Sequence, residues 1–429
     1  MHRRIVAIAL GMFAVCGCGS PGQTESQNAQ TTPPEVAGAA AEPAGTRGRP
    51  PAGGADAGSA PVPPEFGEPL QGLTAAERAS FDDGKVHFAT AEEVDEGLGP
   101  VFNEASCVAC HMGPAVGGSN GRLETRFGRR GADGGFDPLV AEGGSLLQDH
   151  GIGAVDGFAF APEVVPADAN VVAQRRTTPL FGLGLVDATP DDTIRAIAAM
   201  QAGSTPQVAG TVAMVPNLVT GKASVGKFGW KNVNPSLLQF SADAYLNEMG
   251  ITSPLFPTES CPQGRCGDLA FNPVPGLNDA DGADVLAFAS FMMFLAAPPR
   301  GPQTAQTVAG ERVFASIGCA VCHMPTLVTG PSAVAALDGV EYHPYSDFLL
   351  HDMGSLGDGI VQGAAGATQM RTAPLWGLRV ANSLLHDGRA ETPLEAILAH
   401  DGQGRRARDC FKGLDDKDRN ALLAFLESL

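Results

Sequence analysis

Two five-residue stretches constrain this chain more than anything else in it: Cys107-Val-Ala-Cys-His111 and, 212 residues further on, Cys319-Ala-Val-Cys-His323. In each, two thiols two residues apart are followed at once by a histidine, which is the attachment pattern of c-type haem. The chemistry demands that layout. Two thioethers bond the two vinyl groups on one porphyrin edge, and the next residue swings its imidazole under the iron. Cys107, Cys110, Cys319 and Cys322 are then expected to carry two covalently bound c-type haems, with His111 and His323 as proximal ligands. A structural zinc would want a further Cys or His pair to complete its tetrahedron, and none is evident near either copy. A thioredoxin-like dithiol needs no histidine and would sit beside a βαβ pattern, which is missing.

The repetition extends beyond the motifs. Val101-Phe102 stands at the same offset before its first Cys as Val313-Phe314, and reads in both as the apolar face of an N-terminal cytochrome helix. Arg176-Thr-Thr-Pro-Leu-Phe-Gly-Leu183 is echoed by Arg371-Thr-Ala-Pro-Leu-Trp-Gly-Leu378, and the amphipathic run Ile194 to Met200 by Leu394 to His400. Motif, loop and helix recur in one order, so two tandem cytochrome c-like domains are expected. The fold class is expected to be mainly α with extended loops. The N-terminal domain would cover 65–299, with an insertion that contains Trp230, and the C-terminal domain 300–429, with Pro-Pro-Arg-Gly-Pro-Gln at 298–303 marking the boundary.

Residues 1–18 read as an export signal: two arginines, an apolar run of about a dozen residues, too short to span a bilayer, and Val15-Cys-Gly-Cys18. That ending has lipoprotein form, with Gly17 before a Cys18 that would carry the lipid, although Cys16 leaves ordinary cleavage as an alternative. Residues 19–64, rich in Pro, Ala, Gly, Ser and Thr, bury too little apolar surface to order themselves and read as a disordered tether. The expected location is the periplasm or cell envelope, with the chain held to the outer membrane by its lipid. There Cys261 and Cys266 are free to form a short disulfide. A net charge of −19 repels phosphate and argues against nucleic acid. With aromatic residues at only 6%, the core fills with aliphatics or borrows bulk from a large prosthetic group.

A haem with two protein ligands passes electrons, whereas one with a vacant sixth position can bind a small oxidant. For the C-terminal haem, His400 is the first choice of second ligand, with His351, His386, Met353 and Met370 as competitors. For the N-terminal haem the corresponding residue is Met200, and His87 and His150 are the other histidines in that half. None clearly closes the iron, which suggests that this is the reactive centre. Cleaving an O–O bond then needs a distal acid or amide, and the segment 236–249 offers Gln239 and Glu248, with Asp243 between them. Trp230 and Trp376 are candidates for an electron stepping stone or for ordinary burial. The acidic loop from Leu277 to Asp284 either binds calcium or caps the helix that follows.

The stretches GLGPVFNEASCVACH, RRTTPLFGLGLVDA, GKFGWKN, MGITSPLF, DFLLHDMG and LLHDGRAETPLEAILAHDG lie within residues 75–429. Together they resemble the bacterial di-haem oxidoreductases, thiol-oxidoreductase-like proteins distantly related to dihaem cytochrome c peroxidase and to the methylamine dehydrogenase maturation enzyme. The resemblance implies an N-terminal reaction centre and a C-terminal electron port. It places His400 where the peroxidases have Met, implying a bis-histidine centre of lower potential, and makes Gln239 and Glu248 the counterparts of their distal pair. The FWDGR stretch of the peroxidases is missing from the first domain. The expected function is a dihaem c-type oxidoreductase passing electrons from the C-terminal haem to an open N-terminal haem that reduces hydrogen peroxide. Its donor would be a small cytochrome or cupredoxin. Two other readings stand beside it: oxidation of a side chain on a partner protein at the same haem, and a non-catalytic electron-transfer cytochrome.

Overall fold

Each half of the chain is organised around a crossing of two helices in which glycine sets the approach. In the computed structural model, which describes residues 64–429, α1 (Ala75–Ala89) crosses α5 (Ala283–Phe294), and α6 (Ala305–Ser316) crosses α9 (Asp416–Leu426). Both α1 and α6 begin with a reciprocal cap, Thr74 with Glu77 and Thr304 with Thr307. At the α1 contact sits Gly84, where a Cβ would lie 2.3 Å from the carbonyl oxygen of Ala287. At the α6 contact sits Gly310, where a Cβ would lie 1.9 Å from that of Ala421. One turn along the same face comes a phenylalanine. Phe88 lies 5.9 Å from the His111 ring and 4.9 Å from Phe291. Phe314 lies 6.3 Å from the His323 ring and 5.3 Å from Phe425.

The duplicated segments are therefore Gly84-Lys-Val-His-Phe88 and Gly310-Glu-Arg-Val-Phe314. This corrects the pairing of Val101-Phe102 with Val313-Phe314. Val101–Phe102 is a two-residue strand opposite Gly151 and His150, because α1 has already ended and Gly97 and Gly99, both at positive φ, turn the chain away from helix.

The expectation of a mainly α fold is overturned. About 36% of the described residues are helical, 3-10 turns included, and 15% are in strands or bridges, so the fold is mixed. The remaining α-helices are α2 (Leu183–Asp187), α3 (Asp191–Ser204), α4 (Leu237–Met249), α7 (Pro393–Ala399) and α8 (Arg405–Lys412). The largest sheet has three antiparallel strands in the order Phe136–Asp137, Leu123–Arg130, Val171–Arg176, with Glu124 opposite Arg175 and Arg126 opposite Ala173. It lies between the first Cys-x-x-Cys-His copy and α2, where helix-repeat reasoning sees only a long loop. Charged residues alternate inward here, which hides the apolar alternation that marks a half-buried strand.

The larger core gathers Phe81, Leu237, Phe288 and Phe291 from the first half and runs on to Leu327, Tyr342 and Phe348 of the second. A smaller one joins Phe314, Tyr345, Phe411, Leu422 and Phe425. Residues 64–429 belong to one compact unit. Cys261 and Cys266 are joined as a disulfide. No helix of the described residues is long and apolar enough to cross a membrane. The signal and nearly all of the tether lie outside the described residues.

Candidate functional site

Both motifs fold alike. Each Cys-x-x-Cys begins in a 3-10 turn, Cys107–Ala109 and Cys319–Val321. The amide of the following histidine donates to the carbonyl of the first cysteine, at 2.9 Å in both copies. His111 Nδ1 donates to the Gly118 carbonyl at 3.1 Å, and His323 Nδ1 to that of Tyr345 at 2.9 Å. A neutral imidazole whose Nδ1–H is used in this way presents its lone pair on Nε2, as ligating histidines do. Burial pushes His111 and His323 down to about 4, so both rings are neutral at pH 7. Burial likewise pushes the thiols of Cys107, Cys110 and Cys319 up to about 12.

His111, Cys107 and Cys110 open onto a cavity of about 1320 Å³, counting the open space at its mouth. Its walls run from Phe88 and Leu180 to Glu248 and Gln362, a far wider lining than a four-coordinate metal ion needs. Arg176 Nε and Ser241 Oγ are buried without a partner among the described residues, and both residues line this cavity. Buried polar groups are normally satisfied, so these two fit a bound group with polar or anionic edges. The donor set, the space and the unsatisfied atoms together fit haem.

One wall of the cavity is charged. Glu248 on α4 accepts from Asn103 Nδ2 at 2.7 Å. Burial, and then the charge of Glu124, push its carboxyl up to about 8, so it is protonated at pH 7. Arg126 Nε and Nη2 donate to the two oxygens of Glu124 at 3.0 and 3.2 Å. Burial opposes charge on Glu124, yet the Arg126 guanidinium holds its carboxyl below the usual range. Behind them Asp358 bridges two buried cations, Arg175 at 2.7 Å and Lys231 at 2.9 Å. Gln239, the expected companion of Glu248, is not on this wall. Its side chain accepts from the Leu218 amide at 2.8 Å and donates to the Pro216 carbonyl at 3.3 Å.

Sequence reasoning missed Glu124, Arg126, Arg175, Lys231 and Asp358. One signal was there to be read: Glu124 and Arg126 alternate in a strand and so share a face.

At the second motif, His323 and His400 face each other with ring centres 6.4 Å apart, a span that admits one metal ion between two imidazoles. His400 caps the end of α7, donates from Nδ1 to the Ala396 carbonyl at 2.7 Å, and is held by Arg408 through its own carbonyl at 2.8 Å. The competitors are engaged with other partners. His351 sits between Asp347 at 2.9 Å and Gln403 at 3.1 Å, with the Cys322 sulfur 3.6 Å away. His386 packs edge-on against Trp230, and Met370 is paired with His351 across a two-stranded ribbon.

In the first half, Met200 is 44% exposed. His150 stacks on Phe102 and pairs with Asp149 at 2.7 Å, and His87 pairs with Asp284 at 2.9 Å. His111 is the sole histidine among the cavity's lining residues. Trp230 lines that cavity, whereas Trp376 packs beside Tyr342 at 6.0 Å. In the acidic loop, Asp279 accepts from the amides of Asp284 and Val285, and Asp281 from that of Ala283, so both cap α5.

A family model described as "Di-haem oxidoreductase, putative peroxidase" matches residues 161–429. A search of the curated proteins finds no match. Among solved structures, a MauG-like protein associated with microbial copper homeostasis is 15% identical, covers 86% of this chain and 93% of its own, and gives a TM-score of 0.39. The diheme peroxidase BthA from Burkholderia thailandensis is 14% identical, covers 83% and 86%, and gives 0.37. Hydrazine synthase from Kuenenia stuttgartiensis is 14% identical, covers 89% and 100%, and also gives 0.37.

Proposed function

This chain belongs to the di-haem oxidoreductase family, and from that premise we propose that it reduces hydrogen peroxide in the cavity over His111, using electrons received at the His323–His400 site. The observation that carries this reading is an asymmetry. His323 faces a second imidazole, whereas His111 opens onto a cavity whose wall carries the acid Glu248, held by Asn103. In the same reading Cys107, Cys110, Cys319 and Cys322 hold the two haems as thioethers, with His111, His323 and His400 as iron ligands. Bound haem supplies one-electron redox chemistry and, where a coordination position is open, a place for peroxide to bind.

The protein handles the protons. Converting one hydrogen peroxide to two waters consumes two electrons and two protons. Glu248 gives a proton to the departing oxygen, and Asn103 fixes which of its oxygens carries it. Trp230 forms part of the cavity wall, and its carbonyl accepts from the Arg371 amide at 2.9 Å. Asn232 Nδ2 donates at 2.7 Å to the carbonyl of Phe348, three residues beyond the Tyr345 that anchors His323. These bonds offer a route between the two sites, and in the proposal electrons take it from the second site to the first. A small cytochrome or cupredoxin as donor, and a cell-envelope location with lipid on Cys18, complete the proposal.

The test is an anaerobic titration of the fully reduced protein with hydrogen peroxide. Two ferrous haems hold two electrons, so both should be oxidised at one equivalent of peroxide. Haems that stay reduced in excess peroxide would refute the reading.

A further inference from the structure

Glu124 is a second, half-buried acid on the cavity wall, and the reading above gives it no task. Strand alternation puts Glu124 and Arg126 on one face, where both line the cavity. Arg126 grips Glu124 through two nitrogens at 3.0 and 3.2 Å, and Arg175, directly across the ladder, approaches it to 3.9 Å. Glu248 meets Glu124 side chain to side chain and is itself served by a neutral amide, Asn103. Two neighbouring carboxyls on the wall of one cavity resist ionising together. The guanidinium decides which one does.

We propose that Glu124 is a positioning residue for peroxide reduction: clamped as the anion by Arg126, it keeps the one proton of the pair on Glu248, ready for transfer. The inference rests on the peroxidase reading of this cavity and goes beyond it by assigning the group that loads the acid. In the transfer, the O–H bond of Glu248 breaks and an O–H bond forms on the departing oxygen of hydrogen peroxide. Glu248 is left as a carboxylate beside Glu124, a repelling pair that draws a proton back from solvent and resets the site.

The other charged groups that face the pair are accounted for. Asp243, one turn before Asn247 on α4, is held by Asn234 at 2.8 Å and Asn247 at 2.9 Å, and burial pushes its carboxyl up, towards the neutral form. Glu104 and Arg122 lie on the Cys110 side of Glu248 and bind each other at 3.3 Å. Neither arrangement supplies Glu248 with a cation of its own.

The experiment uses the dihaem protein and two readouts. Infrared spectroscopy follows the carbonyl stretch of a protonated carboxyl, assigned to Glu248 by its loss in Glu248→Gln, as a function of pH. Peroxide turnover is followed over the same range. In Glu124→Gln the infrared midpoint and the alkaline limb of turnover should both move to lower pH by about one unit or more, because the repelling neighbour is gone. Glu124→Asp keeps the charge but withdraws it, and should shift both in the same direction by less. It also decides the matter if the Gln variant does not fold. A midpoint that stays in place in a folded variant, or a band that survives Glu248→Gln, overturns the proposal. The infrared signal needs no turnover, so an enzyme inert to peroxide would sink the peroxidase reading while leaving this measurement intact.

Discussion

Replacing Gly310 by alanine sets two effects against each other. Helix propensity alone makes the change stabilising by about 1 kcal/mol, since alanine loses less backbone freedom than glycine in mid-helix. Packing says the reverse. A Cβ at Gly310 falls 1.9 Å from the Ala421 oxygen, 2.5 Å from its carbonyl carbon and 2.7 Å from Phe425 Cβ. Backbone atoms cannot swing aside as the end of a side chain can, so α6 and α9 must part by more than an ångström. Overpacking of this kind costs about 1–3 kcal/mol, and backbone on both sides puts the cost at the upper end. The net expectation is a loss of about 2 kcal/mol, or about 3 °C in Tm for a unit of this size.

Denaturant and thermal unfolding of the haem-loaded protein measure that loss. The absorbance of the second haem reports whether Phe314, one turn along, still packs on His323. Gly203, near the end of α3 with nothing within 4 Å of its hypothetical Cβ, is the control, and alanine there should be neutral or stabilising. A Gly310→Ala variant as stable as Gly203→Ala would refute the idea that this helix crossing is closed by direct backbone contact.

Glu248→Gln should lower peroxide turnover by about 10²–10⁴-fold, the usual contribution of a general acid, with the haem spectra unchanged. The same residue shapes stability. Its folded pKa is raised from 4.5 to about 8, so stability should be greatest below the unfolded value and fall between those two pH values, by about 1.4 kcal/mol per unit for this one proton; Glu248→Gln should flatten the slope in denaturant midpoints taken at pH 5 and pH 8. Asp358→Ala leaves Arg175 and Lys231 buried without their anion and should cost about 3–5 kcal/mol, and a loss below about 1 kcal/mol would contradict the buried bridge. His400→Ala should turn the second haem high-spin and let added imidazole restore the original spectrum, whereas His351→Ala should leave that haem low-spin.

The two Cys-x-x-Cys-His turns stand out in the sequence because their spacing is fixed, and both fold alike, with the histidine amide bonded to the carbonyl of the first cysteine. Repetition pointed to the helix that ends at His400, and the structure sets that ring opposite His323. Of the two side chains singled out on α4, Glu248 lines the cavity and Gln239 does not. At 3.6 residues per turn, nine residues amount to two and a half turns, which puts the two on opposite faces of α4. Ser241, Tyr245 and Glu248, at helical spacing, share the face that lines the cavity. The inward charges of the strand Leu123–Arg130 disguised it as loop. Arg175 and Asp358 meet across 183 residues, a contact that no local pattern encodes. The true duplication of α1 in α6 was masked by the extra loop after Ala89, which made a chance Val-Phe match look like the repeat.

The account turns on two haem sites that differ, one closed by His400 and one open over His111. Electron paramagnetic resonance of the oxidised protein, with and without cyanide, tests that difference most directly. It should show one low-spin centre indifferent to cyanide and one centre that cyanide converts. Two cyanide-insensitive low-spin signals, or two that both respond, would contradict it.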